Sequence, residues 1–378
     1  MVFARFCFVP FVLIVLPIRG QIVVREESSM FGLVTRLFFN NGLCPSQMGR
    51  NGTCYTAEEC SERNGIAEGQ CADGLGVCCI FEITTCGGNV VENCTLVSGT
   101  RLNGQTCMFT LTQCSSDICF FRLDFDSLTL GSTLPSNGDC SSDTISFSAP
   151  TVPILCGSLS GQHIYLPASP GSVDSFSLNF GLSAVLALAT AYQIQVRQIP
   201  CGRSFTPPLG CNQFFFGELS GQIQTYNYMM GAGYHLNNQN YDICVRKELG
   251  ICQIGYLAFP GIQGFAFGPS FGFSMLSLNG DMDCVKDYIL VPNSANLATP
   301  VCQTNGAFPA TVTKYCGYYL NCMELEFTNE IIGTTDFRIT VVTDGSDAFF
   351  MMGEMTGFQL QYQLIPCSSV GKTIVILP

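Results

Sequence analysis

The clearest pattern in the chain is an alternation of apolar and polar positions that occurs twice. In residues 192–201, Tyr192, Ile194 and Val196 alternate with Gln193, Gln195 and Arg197. In residues 358–367, Phe358, Leu360, Tyr362 and Leu364 alternate with Gln359, Gln361 and Gln363. A period of two marks strands with one buried and one wet face. Both segments end Ile-Pro-Cys, and proline suits a strand terminus. Other apolar runs are different in kind. Cys7 to Leu16 is a short continuous run behind Arg5, and Arg19-Gly20 closes it. That is the form of a secretory signal peptide, so 1–20 is expected to be removed. Phe31 to Phe39 is apolar but irregular, which predicts a flexible or docking arm over 21–43. The longest interior apolar stretch, Leu182 to Tyr192, falls well short of the ~20 residues a transmembrane helix needs.

Composition sharpens the class. The 378 residues include 23 cysteines and no tryptophan, and only 12% are charged. Sixteen Lys and Arg against 28 acids leave no basic field for nucleic acid. Such cysteine usage belongs to an oxidising compartment, and the chain is expected to be secreted and extracellular. Loss of Cys7 with the leader makes the cysteine number even, so full pairing is possible.

Six cysteines, Cys44, Cys54, Cys60, Cys71, Cys78 and Cys79, crowd into 44–79, a segment with few large apolar residues. Three disulfides would stand in for its core, each worth about 2–4 kcal/mol. Adjacent Cys78 and Cys79 cannot easily bond to each other and need separate partners. A zinc site would want C-x₂-C knuckles or histidines, and neither is present.

The remaining sixteen fall as eight and eight, in 86–201 and 211–367. Cys86, Cys107, Cys119, Cys140, Cys156 and Cys201 match Cys211, Cys244, Cys252, Cys284, Cys316 and Cys367 in order, so the two segments read as an internal repeat. Parity then leaves Cys94 with Cys114 in copy one and Cys302 with Cys322 in copy two, each pair predicted to close a private bridge.

The residues that carry a resemblance are now in place. Cys86-Gly-Gly, Cys107-Met-Phe-Thr-Leu, Cys140-Ser-Ser-Asp and Cys156-Gly resemble the blocks of CUB domains. So do Cys284-Val-Lys-Asp, Cys316-Gly and Gly357-Phe-Gln-Leu-Gln-Tyr in copy two. The whole is similar to secreted two-CUB proteins of arthropods. Asn51-Gly-Thr-Cys and Gly76-Val-Cys-Cys resemble the clip domain. The resemblance implies an all-β fold: two antiparallel β-sandwiches, 86–201 and 211–367, behind a small disulfide-rich clip-like module at 44–79, with a tail at 368–378. It also implies Cys86–Cys107, Cys140–Cys156, Cys211–Cys244 and Cys284–Cys316. Cys119–Cys201 and Cys252–Cys367 then remain. For the clip-like module it implies Cys44–Cys78, Cys54–Cys71 and Cys60–Cys79.

Chemistry is sparse. The two histidines, His163 and His235, have no nucleophile motif near them. There is no P-loop, dinucleotide turn or Cys-x-x-Cys. Paired carboxylates are not tested by spacing, but few acids lie outside loops. No catalytic residue is assigned, and the chain is expected not to be an enzyme. No cofactor is certain; the resemblance implies Ca²⁺ through a Glu, the Cys-x-x-Asp acid and a late-loop acid, all hard oxygen donors. In copy two these fall on Asn279, Asp287 and Asp344; in copy one only Asp143 survives.

Copy two is longer between Cys252 and Cys284, where Phe259, Phe265, Phe267, Phe271 and Phe273 recur among glycines. Phe265 and Phe267 are candidate binding-loop residues; the plainer reading is that the loop folds back and caps the core. Asn51 and Asn93 head glycosylation sequons. The expected function is a secreted, non-catalytic binder of extracellular proteins or glycans, without a transmembrane anchor. The alternative is a non-catalytic regulator of an extracellular protease cascade, acting through the clip-like segment.

Overall fold

In the computed structural model, residues 22–29, 32–39, 41–131, 138–168, 173–182, 191–229, 233–258, 265–266, 278–279, 284–296, 312–317, 331–345 and 355–367 are described. The leader, the 368–378 tail, Cys302, Cys322 and Phe267 lie outside them. The chain divides into two units, 1–81 and 82–378.

The first unit begins with strands Ile22–Ser29 and Gly32–Phe39, which pair antiparallel from Ile22 opposite Phe39 to Ser29 opposite Gly32. The stretch expected as an irregular arm is therefore largely a hairpin. Next comes a small module of strands Leu43–Pro45, Asn51–Tyr55, Ile66–Cys71 and Gly76–Ile83. Its helix, Ala57–Glu62, is started by a capping box in which Thr56 and Glu59 satisfy each other's backbone amides. Cys78 and Cys79 lie side by side on one strand, so alternation sends them to opposite faces. Cys78 reaches Cys44 in a cluster with Cys54 and Ile80. Cys79 reaches Cys60 in a cluster with Tyr55 and Phe81. Cys54–Cys71 completes the set.

In copy one, strands His163–Pro167, Ile118–Ser127, Ala191–Pro200 and Thr95–Thr100 lie side by side in one sheet. The other sheet runs Thr144–Phe147, Asp174–Asn179, Thr106–Leu111, Gly88–Val90. Leu123, Phe125, Ile194 and Val196 are buried from the first face, and Phe109, Phe176 and Leu178 from the second. The Phe109 and Phe176 rings stack with centroids 5.0 Å apart. Bridges Cys86–Cys107, Cys119–Cys201 and Cys140–Cys156 pin the edges and ends.

Copy two repeats the plan. Its last strand, Gly357–Pro366, lies between Ile251–Ala258 and Ser220–Gln224, as Ala191–Pro200 lies between Ile118–Ser127 and Thr95–Thr100. Phe358, Leu360, Tyr362 and Leu364 are buried. Strand Tyr288–Asn296 joins its two sheets: residues 288–290 pair with Arg338–Val342, and residues 295–296 pair with Ile331–Thr334. Bridges Cys211–Cys244, Cys252–Cys367 and Cys284–Cys316 follow those of copy one.

Three sequence expectations need correction. Cys94, which is buried, and Cys114, which is exposed, are not bridged to each other. The wet face of 192–201 is not wholly wet, since Gln195 and Gln198 are buried. Gln198 accepts from the Cys114 amide and donates to the carbonyls of Val91 and Thr112. Burial there is offset because the glutamine ties two loops of otherwise unmet backbone groups. The third concerns the two sandwiches expected at 86–201 and 211–367, which share a core. One hydrophobic cluster runs through both. A second joins Phe120, Tyr165 and Ile199 of copy one to Phe214 and Cys244 of copy two.

Candidate functional site

Both histidines are buried near the join between the copies. His163, on strand His163–Pro167, accepts the Phe214 amide at Nε2, 3.1 Å. Its backbone carbonyl accepts from the Tyr226 hydroxyl at 3.0 Å. Burial, and secondarily Arg122, holds its pKa well below the usual histidine value. The His235 amide donates to the Met355 carbonyl, and burial takes its ring to a pKa of about 4. Gln162 Nε2 donates to the Thr225 carbonyl, and Asn237 Nδ2 donates to Asp139 Oδ1. These groups serve the join.

The equivalent acids of the two copies meet opposite surroundings. In copy one, Cys140-Ser-Ser-Asp143 is anchored by the Cys140–Cys156 bridge. Asp143 is 3% exposed, and it forms a two-point pair with Arg101: Nε to Oδ2 at 2.5 Å, Nη2 to Oδ1 at 2.8 Å. The Gly181 amide also donates to Asp143 Oδ1. Burial pushes the Asp143 carboxyl up, but the Arg101 pair and the Gly181 amide outweigh it and the net shift is down.

In copy two, Asp287 is buried, and its Oδ1 accepts the Asp344 amide at 2.8 Å. Burial lifts its pKa to about 6; the Asp344 amide lowers it and the Asp344 charge raises it further. The Asp344 carboxylate lies 3.7 Å from Lys286 Nζ. The backbone of Asn279 pairs with Tyr315, whose other neighbour is Ile289, two residues beyond Asp287. The structure thus brings Asp287 and Asp344 together and places Asn279 in the same part of the sheet. No group of three or more His, Cys, Asp or Glu arranged to hold a metal occurs among the described residues. Asp287 and Asp344 are hard oxygen donors of the kind a Ca²⁺ ion takes.

Of the two candidate loop residues, Phe265 pairs through its backbone with Phe358, and Phe267 is outside the described residues. A cleft that the sequence does not announce lies elsewhere in copy two. Strand Cys211–Phe215 pairs parallel with Asn240–Val245, which pairs antiparallel with Arg338–Val342. The segments around 204–214, 244–247 and 336–338 thereby line a cavity of about 280 Å³. Arg246 lies over the Phe216 ring at 5.4 Å and pairs with Glu248 at 2.6 Å. Lys247 Nζ lies 5.4 Å from the Phe337 ring centre. Phe205 and Phe216 are partly exposed beside it. Aromatic rings and arginine at an open cleft are the composition of protein-binding hot spots. These residues come from three separate stretches of the chain, which only the strand pairing brings together.

Asn51 and Asn93 are both half-buried. The Asn93 side-chain oxygen accepts from the amides of Cys94 and Gln198.

Residues 208–365 match the animal CUB domain. Among solved structures, the CUB1-EGF-CUB2 domains of rat MASP-1 share 14% identity, over 73% of this chain and 99% of that one, with a TM-score of 0.24. The CUB1-EGF-CUB2 domain of human MASP-1/3 shares 13%, over 71% and 99%, at 0.23. The full extracellular region of zebrafish Gpr126/Adgrg6 shares 9%, over 77% and 38%, at 0.24. No curated protein matches the chain.

Proposed function

From a chain that carries a CUB domain over 208–365, we infer a secreted, non-catalytic protein that binds extracellular proteins or glycans. The observation that carries this reading is the open aromatic and cationic cleft lined by Phe214, Arg246, Lys247 and Phe337, with the Phe216 ring against Arg246 beside it, on a disulfide-pinned sandwich. Rigid support of exposed anchors lowers the entropy cost of binding. Copy two is proposed to take Ca²⁺ through Asp287 and Asp344. When bound, the ion would add positive charge beside the buried Asp287, on which Lys286 acts only weakly. The test is affinity capture from extracellular fluid with the oxidised, glycosylated chain, with the Lys247→Glu variant as comparison. Equal recovery of every captured species by both proteins would remove the cleft from the proposal.

A second reading has the 44–79 module regulate an extracellular protease cascade. It is supported by the connectivity Cys44–Cys78, Cys54–Cys71 and Cys60–Cys79, which is the one implied by the clip resemblance. Unchanged proteolytic output after depletion of the protein would remove it.

A further inference from the structure

The Ca²⁺ implied for this fold does not fit copy one, and the reason is a specific side chain. Arg101 follows strand Thr95–Thr100 and turns its guanidinium onto Asp143, the acid of the Cys-x-x-Asp block. Two nitrogens meet two carboxylate oxygens, at 2.5 and 2.8 Å. Nη2 also donates to the Gly181 carbonyl at 2.9 Å, and the Gly181 amide returns a bond to Asp143 Oδ1 at 2.8 Å. Nη1 reaches the Asn103 side-chain oxygen. The guanidinium is 5.9 Å from the Phe180 ring centre, and the Arg101 side chain is only 7% exposed. Asp143, Gly181 and Asn103 thus give it oxygens from three separate loops. A hard cation at such a corner would draw oxygens from those same places.

We propose that copy one carries its own cation: the Arg101 guanidinium occupies the corner where a divalent ion would sit and ties loops 101–104, 139–143 and 180–182 together without metal. The planar fork suits this role, because it spreads one charge over several oxygens in fixed directions. Among the described residues of copy two no arginine meets Asp287: it receives the Asp344 amide instead, and Lys286 lies against Asp344. Copy one is thereby independent of metal, and surfaces built on its corner persist under chelation. The inference stands whether or not copy two binds Ca²⁺.

Hydrogen exchange on the full oxidised chain tests it. In the wild type, exchange in 101–104, 139–143 and 180–182 is expected to be the same with Ca²⁺ and with EDTA. Arg101→Gln is expected to raise exchange there about tenfold or more. Arg101→Lys keeps the charge, loses the fork, and is expected to fall between. If Arg101→Gln does not fold, the lysine variant supplies the comparison. Ca²⁺ calorimetry of Asp287→Asn, with copy one intact, is expected to show no binding heat. The proposal is overturned if EDTA loosens these loops in the wild type, if the folded Arg101 variants exchange like the wild type, or if Asp287→Asn still binds Ca²⁺.

Discussion

His163 Nε2 accepts the backbone amide of Phe214, and through that bond a side chain of copy one satisfies the first strand of copy two. The imidazole is edge-on to Tyr165 and Phe215, at 5.5 and 5.0 Å between ring centres. His163→Ala would leave a buried N–H without its acceptor and a void beside two rings. The expected cost is on the order of 2–4 kcal/mol. Denaturant titration checks it, with His163→Gln expected to recover part of the loss.

Both histidines also predict a pH dependence. Their folded pKa values lie below the free value of 6.5, about 4 for His235. The folded state therefore binds fewer protons than the unfolded one below pH 6.5. Stability from these groups is fully present above 6.5 and is lost as pH falls toward 4. The melting midpoint is expected to decline across that window, and the decline should be shallower in folded His163→Gln. An equally steep decline in the variant would count against the assignment.

Asp287 has the opposite sign. Its pKa is raised to about 6 from 3.8, so its charged form burdens the fold as pH rises through 6. Asp287→Asn keeps an oxygen for the Asp344 amide and removes the charge. Without divalent cations at pH 7 the variant is expected to be more stable than the wild type, by on the order of 2 kcal/mol. The advantage should vanish near pH 4. Equal melting midpoints at pH 7 would remove the claim of an unmet buried charge.

These acids show how far sequence carried. Tyr192, Ile194 and Val196, like Phe358, Leu360, Tyr362 and Leu364, are buried as a period of two requires. The vicinal cysteines take separate partners because strand neighbours face opposite ways. The Cys-x-x-Asp acids were legible as a pair, but their difference was not. Arg101 and Asp143 are 42 residues apart, and nothing local marks Arg101 as the partner. The cleft of Phe214, Arg246 and Lys247 was hidden for the same reason: parallel pairing of Cys211–Phe215 with Asn240–Val245 assembles it. Cys94 and Cys114 were paired on parity, which counts cysteines and carries no geometry.

Gln198 is the side chain that meets both of those loops. It bonds the Val91 and Thr112 carbonyls and the Cys114 amide, while its own amide reaches Asn93. Gln198→Leu keeps the volume and removes three side-chain bonds in a buried place. The expected loss is on the order of 3 kcal/mol, because the stranded backbone groups are worse off than in water. Gln198→Glu should also be destabilising, since it exchanges an amide donor for a buried charge that faces two carbonyls. Urea midpoints of both variants check this, and a change below about 0.5 kcal/mol would mean that water fills the hub.

The cleft of copy two separates binding from folding. Lys247 has no ion-pair partner among the described residues, and its contact is the Phe337 ring. Arg246 pairs with Glu248 at the surface, and such pairs contribute about 0–1 kcal/mol. Lys247→Glu, alone or with Arg246→Ala, is therefore expected to leave the melting midpoint within a degree or two while reversing charge at the mouth of the cavity. If the cleft takes an acidic or aromatic partner, the captured species should fall at least tenfold, and most steeply at low salt, because charge at an interface acts through encounter as well as contact. Phe216→Ala tests the other half of the site: it removes the ring under Arg246 and should weaken capture with little dependence on salt. Loss of capture together with loss of folding in all three variants would make these residues structural, with the recognition surface elsewhere on the sandwich.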